Sequence, residues 1–135
     1  IAAIGCGWQF EMGEAYVKAT LESMTSYYQG VDVLEVLHRC QALQPVFARP
    51  AADELCVGHI GVAEAFQRQG LCSQLLAHLE STAYTLGKRK LTLDVKQDNA
   101  GAIDCYQQFG FELVRITQDT SIMSLGTYVH MCKLL

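Results

Sequence analysis

The chain has no Cys-x-x-Cys pair, no basic stripe, no apolar run approaching a membrane span, and only 2 prolines in 135 residues. Without Cys-x-x-Cys there is no zinc-ribbon or dithiol redox pattern. The cysteines at 6, 40, 56, 72, 105 and 132 never fall within four residues of each other, and they read as reduced, buried thiols of a cytoplasmic protein. The apolar runs stop far short of the ~18 residues that a bilayer demands, so no membrane partner is expected. The residues given open on no basic-then-apolar signal pattern. Lys+Arg 10 against Asp+Glu 14 leaves a net charge of −4, which argues against nucleic acid and favours a cationic small molecule. Charged residues make up 18%, below the roughly 25% usual for soluble domains, so a partner subunit is expected to cover some apolar surface. A hydrophobic share of 50% excludes disorder. The length fits one domain, with no repeat, low-complexity segment or linker.

Residues 1–10 read as a buried strand with Gly5 and Gly7 inside it. Val17, Leu21, Met24 and Tyr28 recur at helical spacing and predict a helix over 14–28, stopped by Gly30. Asp32 and Glu35 resemble a capping box ahead of a second stripe of Val33, Leu34, Leu37, Cys40 and Leu43. Pro45 and Pro50 bracket a loop. A central strand is predicted at 54–62, followed by a helix carrying Leu71, Leu75, Leu76, Leu79, Ala83 and Leu86 and closed by Gly87. Lys88, Arg89 and Lys90 read as a solvated turn beside the negative end of that helix. Leu91, Leu93 and Val95 alternate with Thr92, Asp94 and Lys96, which marks a strand. Asn99 heads a short helix ending at Gly110. Residues 111–116 and 128–134 read as two closing strands joined by a Ser/Thr-rich loop. From residue 54 the order is β-α-β-α-β-β, an α/β (α+β) arrangement in which a mixed sheet holds a parallel pair and is flanked by helices.

Chemistry concentrates where the 54–62 strand gives way to the next helix. There the run Gln67, Arg68, Gln69, Gly70, Leu71, Cys72, Ser73 opens a helix whose first N–H groups lack partners and whose dipole adds about half a positive charge. Gly70 lets a ligand approach that backbone, Cys72 and Ser73 are small, and Arg68 adds a charge, which together describe an amide cradle for a pyrophosphate. The competing reading is a glycine that merely permits tight helix–strand packing. A second run places Asn99, Ala102, Ile103 and Tyr106 on one helical side. Asn99 can cap that helix or bond an amide-bearing ligand. Tyr106 offers an O–H to a leaving group, or is a half-buried core aromatic with a wet tip.

In this order the two runs resemble the GNAT family of acyl-CoA N-acyltransferases. Gln67, Gly70 and Cys72 match its Gln/Arg-x-x-Gly-x-Gly/Ala signature, with the larger Cys72 in the last place. Asn99, Ala102, Tyr106, Gly110 and Phe111 match Asn-x-x-Ala-x-x-x-Tyr-x-x-x-Gly-Phe throughout. The resemblance covers residues 55–135 and implies acetyl-CoA as co-substrate, with no metal. It implies that Ile60, Gly61 and Val62 present backbone groups to the pantetheine arm and that one N–H polarises the thioester carbonyl. It implies further that the amides of residues 68–73 hold the pyrophosphate beside Gln67, that Asn99 and Ala102 lie along the pantetheine, and that Tyr106 protonates the departing thiolate.

A general base is harder to place. The strand positions where such enzymes carry a carboxylate fall around Cys56 to Gly58, which supply none. His59 and Glu54 are the nearest candidates, although His59 also reads as a sheet-bonded histidine, Glu54 as a strand-edge charge and Glu64 as solvated. Cys72 and Cys105 read as packing thiols rather than nucleophiles. Residues 1–53 are expected to supply the neighbouring strand plus a helical insertion on the acceptor side, and residues 54–135 the acetyl-CoA-binding core. The family's opening elements are then missing, which fits Ile1 in place of Met and an exposed sheet edge covered by a longer chain or a homodimer partner. The leading expectation is an N-acetyltransferase for a small cationic amine. The rivals are a non-catalytic acyl-CoA-binding module and a dimer-forming remnant that binds no CoA.

Overall fold

In a computed structural model, described for residues 1–28, 30–42, 44–47, 49–120 and 125–135, five strands form one mixed sheet. In chain order the elements are β1 (Ala3–Gln9), α1 (Gly13–Tyr27), α2 (Val31–Ala42), β2 (Glu54–Val62), α3 (Leu71–Thr85), β3 (Lys90–Lys96), α4 (Ala100–Gln108), β4 (Glu112–Gln118) and β5 (Thr127–Leu134). The sheet order is β1-β2-β3-β5-β4. β1 runs antiparallel to β2, β2 and β3 are parallel, and β5 lies antiparallel between β3 and β4. The expected fold class, the parallel pair and the pairing of the first strand with 54–62 all follow the sequence reading.

Alternation decides which residues make the core. Leu55 and Val57 of β2, Leu91, Leu93 and Val95 of β3, and Val129 and Met131 of β5 pack with Leu76 and Ala83 of α3, Tyr106 of α4 and Phe111. Leu76, Leu91 and Met131 are completely buried. At about 25 cal/mol per Å² of apolar area, this face dominates the stabilisation. α3 and α4 both end in Schellman motifs. Lys88 N–H donates to Ala83 O and Gly87 N–H to Tyr84 O, while Phe111 N–H donates to Tyr106 O and Gly110 N–H to Gln107 O. Phe111 is therefore fixed as a core plug at the helix end, and β4 starts one residue later than its apolar run suggests.

The other face of the sheet is covered differently. α1 buries none of its described side chains. The Val17–Leu21–Met24–Tyr28 stripe has the right period but stays substantially exposed. α2 likewise keeps Leu34 at 67% exposure, and Leu43 lies outside the described residues. The expected capping box does not form. Asp32 sits inside the helix, and Glu35 pairs with Arg39 one turn on.

The basic turn is also not solvated as expected. Lys88 is buried at 6% exposure, and its Nζ donates to both carboxylate oxygens of Glu11 at 2.8 and 2.7 Å and to Ala52 O at 2.9 Å. Lys90 pairs with Asp53 at 3.1 Å. The turn fastens β3 to the segments that lead out of β1 and into β2.

Candidate functional site

Parallel pairing of β2 with β3 covers only Glu54↔Lys90, Leu55↔Leu91 and Cys56↔Thr92. Beyond that register the strands fork: β2 continues beside β1 alone and β3 beside β5 alone. The inner edges of Val57–Val62 and of the far half of β3 thus carry backbone groups that no strand pairs, the kind of edge an extended amide chain can join. β2 also bulges, because Gly7 pairs with Val57 and Gly5 with Ile60, so three steps along β2 match two along β1. The extra residue turns Gly58 and His59 both toward the α1 face and returns Ile60 to the core side. A Cβ on Gly58 would lie 2.7 Å from Cys6 Sγ and 3.3 Å from Cys6 O, so a larger residue here must displace Cys6.

Past the fork, the chain enters the loop before α3. Gly70 is the N-cap at φ 78°, and no side chain among the described residues caps the helix. A Cβ on Gly70 would meet nothing within 4 Å, so glycine is needed here for its left-handed backbone and the space above it is open. Arg68 adopts φ 58°, a conformation costing on the order of 1 kcal/mol in a non-glycine residue, of the kind that collects at ligand sites. The two glutamines brace the loop from within. Gln67 Nε2 donates to Val62 O at 3.3 Å and Gln69 Nε2 to Ala65 O at 3.2 Å. Arg68, Gly70 and Ser73 are exposed, and Leu71 and Cys72 are half-buried. Uncapped amides, the positive end of a 15-residue helix and a nearby guanidinium fit a diphosphate.

Tyr106 sits in the core at 9% exposure. Burial, and next the neighbouring Cys72 and Cys105 thiols, push its phenol up to about 12. Its hydroxyl has no hydrogen bond among the described residues, yet it is not sealed from solvent. The phenol therefore holds its proton at neutral pH, and the same burial makes it a weaker acid than a free tyrosine. Cys72 Sγ lies 2.8 Å from Cys105 Sγ, and desolvation first, then Cys105, raises the Cys72 thiol. Cys72 is therefore a protonated packing group at neutral pH. Asn99 takes the capping option: its Oδ1 accepts from Ala102 N at 3.2 Å.

The two base candidates part company. Glu54 lies at the start of β2, away from the fork, with Oε2 accepting from Ala51 N at 3.0 Å and Oε1 3.8 Å from Lys90 Nζ. His59 is exposed on the wall of a cavity of about 500 Å³ between the sheet and α1, edge-on to Trp8 at 6.3 Å. Trp8, Tyr16, Val17 and Phe47 form apolar walls, and Cys56, Gly58 and Asp94 stand at the sheet. Trp8 and Asp94 escaped notice as site residues in the sequence. The β3 alternation places Asp94 off the core face, but nothing local announces the cavity or the cross-strand His130, whose Nδ1 lies 2.9 Å from Asp94 Oδ1. No group of three or more His, Cys, Asp or Glu suited to a metal occurs among the described residues.

With this geometry in place, comparison with known proteins is decisive. Residues 37–111 match the model of the acetyltransferase (GNAT) family. The chain belongs to the GNAT family. Among curated GNAT relatives, the [ribosomal protein bS18]-alanine N-acetyltransferase of Salmonella typhimurium is 39% identical over 67 residues, covering 50% of this chain and 45% of that protein. The aligned segment thus spans less than half the length of that relative. The crystal structure of the ribosomal-protein-S18-alanine N-acetyltransferase from Escherichia coli superposes with TM-score 0.54 at 30% identity, over 64% of this chain and 57% of that one. A GNAT acetyltransferase from Elizabethkingia anophelis with acetyl-CoA bound gives TM-score 0.57 at 22% identity, over 62% and 61% of the two chains, a likeness of fold alone.

Proposed function

We propose that the chain catalyses transfer of an acetyl group from acetyl-CoA to the primary amine of a small cationic acceptor. The observation that carries the reading is the uncapped, glycine-headed start of α3 at the end of a strand that has just parted from its parallel neighbour. Acetyl-CoA supplies the thioester. In this reading the amides of residues 68–73 hold its diphosphate, and the unpaired edge at Ile60, Gly61 and Val62 receives its pantetheine. An N–H of that strand would face the carbonyl, where each preorganised donor lowers the barrier by about 3 kcal/mol. The acceptor enters from the cavity side, so residues 1–53 act as the acceptor half and residues 54–135 as the CoA half of one domain.

The amine must lose a proton before its lone pair bonds to the acetyl carbon. His59, on the cavity wall, takes that proton through water. The C–S bond then breaks, the Tyr106 hydroxyl gives its proton to the sulfur, and the second proton shed by the acylated nitrogen returns through water to the phenolate. Alignment of the reactants supplies much of the acceleration. Glu54, tied to Lys90 and Ala51, serves the strand end instead. Net charge −4 favours a cationic acceptor. The named relatives acetylate the alanine of a ribosomal protein, so a peptide with a free N-terminal alanine is the rival acceptor. A homodimer fits the exposed Leu113 (51%), Val114 (61%) and Ile116 (52%) on the edge strand β4.

Calorimetric titration with acetyl-CoA, followed by thiol release against amines and an alanine-headed peptide, tests the proposal. Micromolar binding with amine-dependent release is expected. Binding without release on any acceptor overturns catalysis and leaves the second reading, a CoA-binding module. That reading is favoured by the absence of a carboxylate at Cys56–Gly58. No binding at all removes both.

A further inference from the structure

Asp94 is the one carboxylate among the described residues lining the cavity, and the acyl-transfer steps above do not use it. Its side chain is only 11% exposed. His130, directly across the β3–β5 ladder, satisfies Oδ1 with a ring nitrogen at 2.9 Å. The imidazole engages one carboxylate oxygen only, so the other is left for a guest in the cavity. Oδ2 has no hydrogen bond among the described residues, and it is not sealed. Asp94 stands two residues past the fork on β3, as Gly58 does on β2. A group held by it would lie beside the opening through which a thioester could reach the cavity.

The walls suit the same kind of guest. Trp8 and Tyr16 stand with ring centroids 6.2 Å apart, and Phe47 packs edge-on against Tyr128 at 4.8 Å. Aromatic faces attract a cation through their quadrupoles and cover an apolar body. Arg49 also lines the cavity, but it is exposed, so water screens its charge far more than that of Asp94. Asp94 is the less exposed of the two charged groups. A volume of about 500 Å³ lies in the range of small-molecule sites.

We infer that this cavity is a recognition site for an arylalkylammonium, with the cation on Asp94 and the aryl body between Trp8, Tyr16 and Phe47. His130 is a positioning residue that fixes the carboxylate. The inference deepens the acyl-transfer reading by naming its acceptor class, yet its test needs neither acetyl-CoA nor turnover.

Trp8 is the sole tryptophan, so its fluorescence reports occupancy directly. Three probes of similar size are titrated: benzyltrimethylammonium, which has no N–H to acetylate, neutral 3-phenylpropanol and anionic 3-phenylpropionate. The expected ranking is cation, neutral, anion, with the cation at least tenfold tighter than the alcohol. Asp94→Asn should remove that preference while the alcohol binds as before. Equal binding of cation and alcohol, or an anion that binds tightest through Arg49, overturns the inference from the unmodified protein alone. A folded Asp94→Asn variant that keeps the tenfold preference also overturns it. Transfer activity that fails while the ranking holds counts against the acyl-transfer reading only.

Discussion

The two faces of the sheet are built from the same strands and end up in opposite conditions. On one face, α3 and α4 press Leu76, Ala83 and Tyr106 onto Leu91, Leu93, Val129 and Met131, and the packing closes. On the other, α1 buries none of its described side chains, and a cavity of about 500 Å³ remains between the helix and the sheet. The bulge in β2 belongs to this second face, where it brings two consecutive residues, Gly58 and His59, to the cavity. Tight packing therefore belongs to one face and the cavity to the other, while the start of α3 and Tyr106 serve both packing and the proposed chemistry near the fork between β2 and β3. A helix that packs too well would have filled the space a substrate needs.

That division can be broken deliberately. Leu76→Ala, on the closed face, should cost about 2–5 kcal/mol and lower the melting temperature by 10 °C or more, because nothing can collapse into the void. A change below about 1 kcal/mol by denaturant titration would mean that the closed face is not closed. Gly70→Glu should weaken CoA binding by about 100-fold or more in calorimetry, since it strains a left-handed backbone and puts a negative charge among the amides. Its melting temperature should fall by only a few degrees, since the left-handed backbone costs about 1 kcal/mol in a non-glycine residue while the glycine's side is open.

Tyr106→Phe should lower turnover about 10- to 100-fold with CoA affinity nearly unchanged, and equal turnover would remove the phenol from the acid role. The same residue makes a pH prediction. Its phenol is raised to about 12 in the folded chain against roughly 10 when unfolded. The unfolded chain therefore ionises first, and stability falls as pH rises through that interval. Tyr106→Phe should lessen that fall in alkaline melts. Least of all, Val17→Ala on the open face should shift stability by under about 0.5 kcal/mol, since the side chain is already 36% exposed. A loss as large as that of Leu76→Ala would erase the contrast between the faces.

Local rules reached the closed face and faltered on the open one. Alternation in 91–95 and the 3.6-residue period of 71–86 name the core because each buried position repeats. Gly87 and Gly110 mark helix ends because only a left-handed residue completes a Schellman motif. The two family signatures are likewise contiguous, which is why Gly70 and Tyr106 stand out in the sequence alone. Lys88 was misread as solvated because its partner Glu11 is 77 positions away. The Asp94–His130 pair was unreadable for the same reason, since it depends on β5 inserting between β3 and β4. The α1 stripe shows the converse limit, because a helical period declares an apolar face without saying what lies opposite it.

The central claim is that the first amides of α3 hold the diphosphate of CoA. Amide NMR of the ¹⁵N-labelled chain, titrated with CoA, tests it directly. The account predicts that the N–H resonances of Arg68 to Ser73 move most, and that Gly70→Glu abolishes their shifts. Saturable CoA binding that leaves those six resonances in place, or no binding at all, would contradict it.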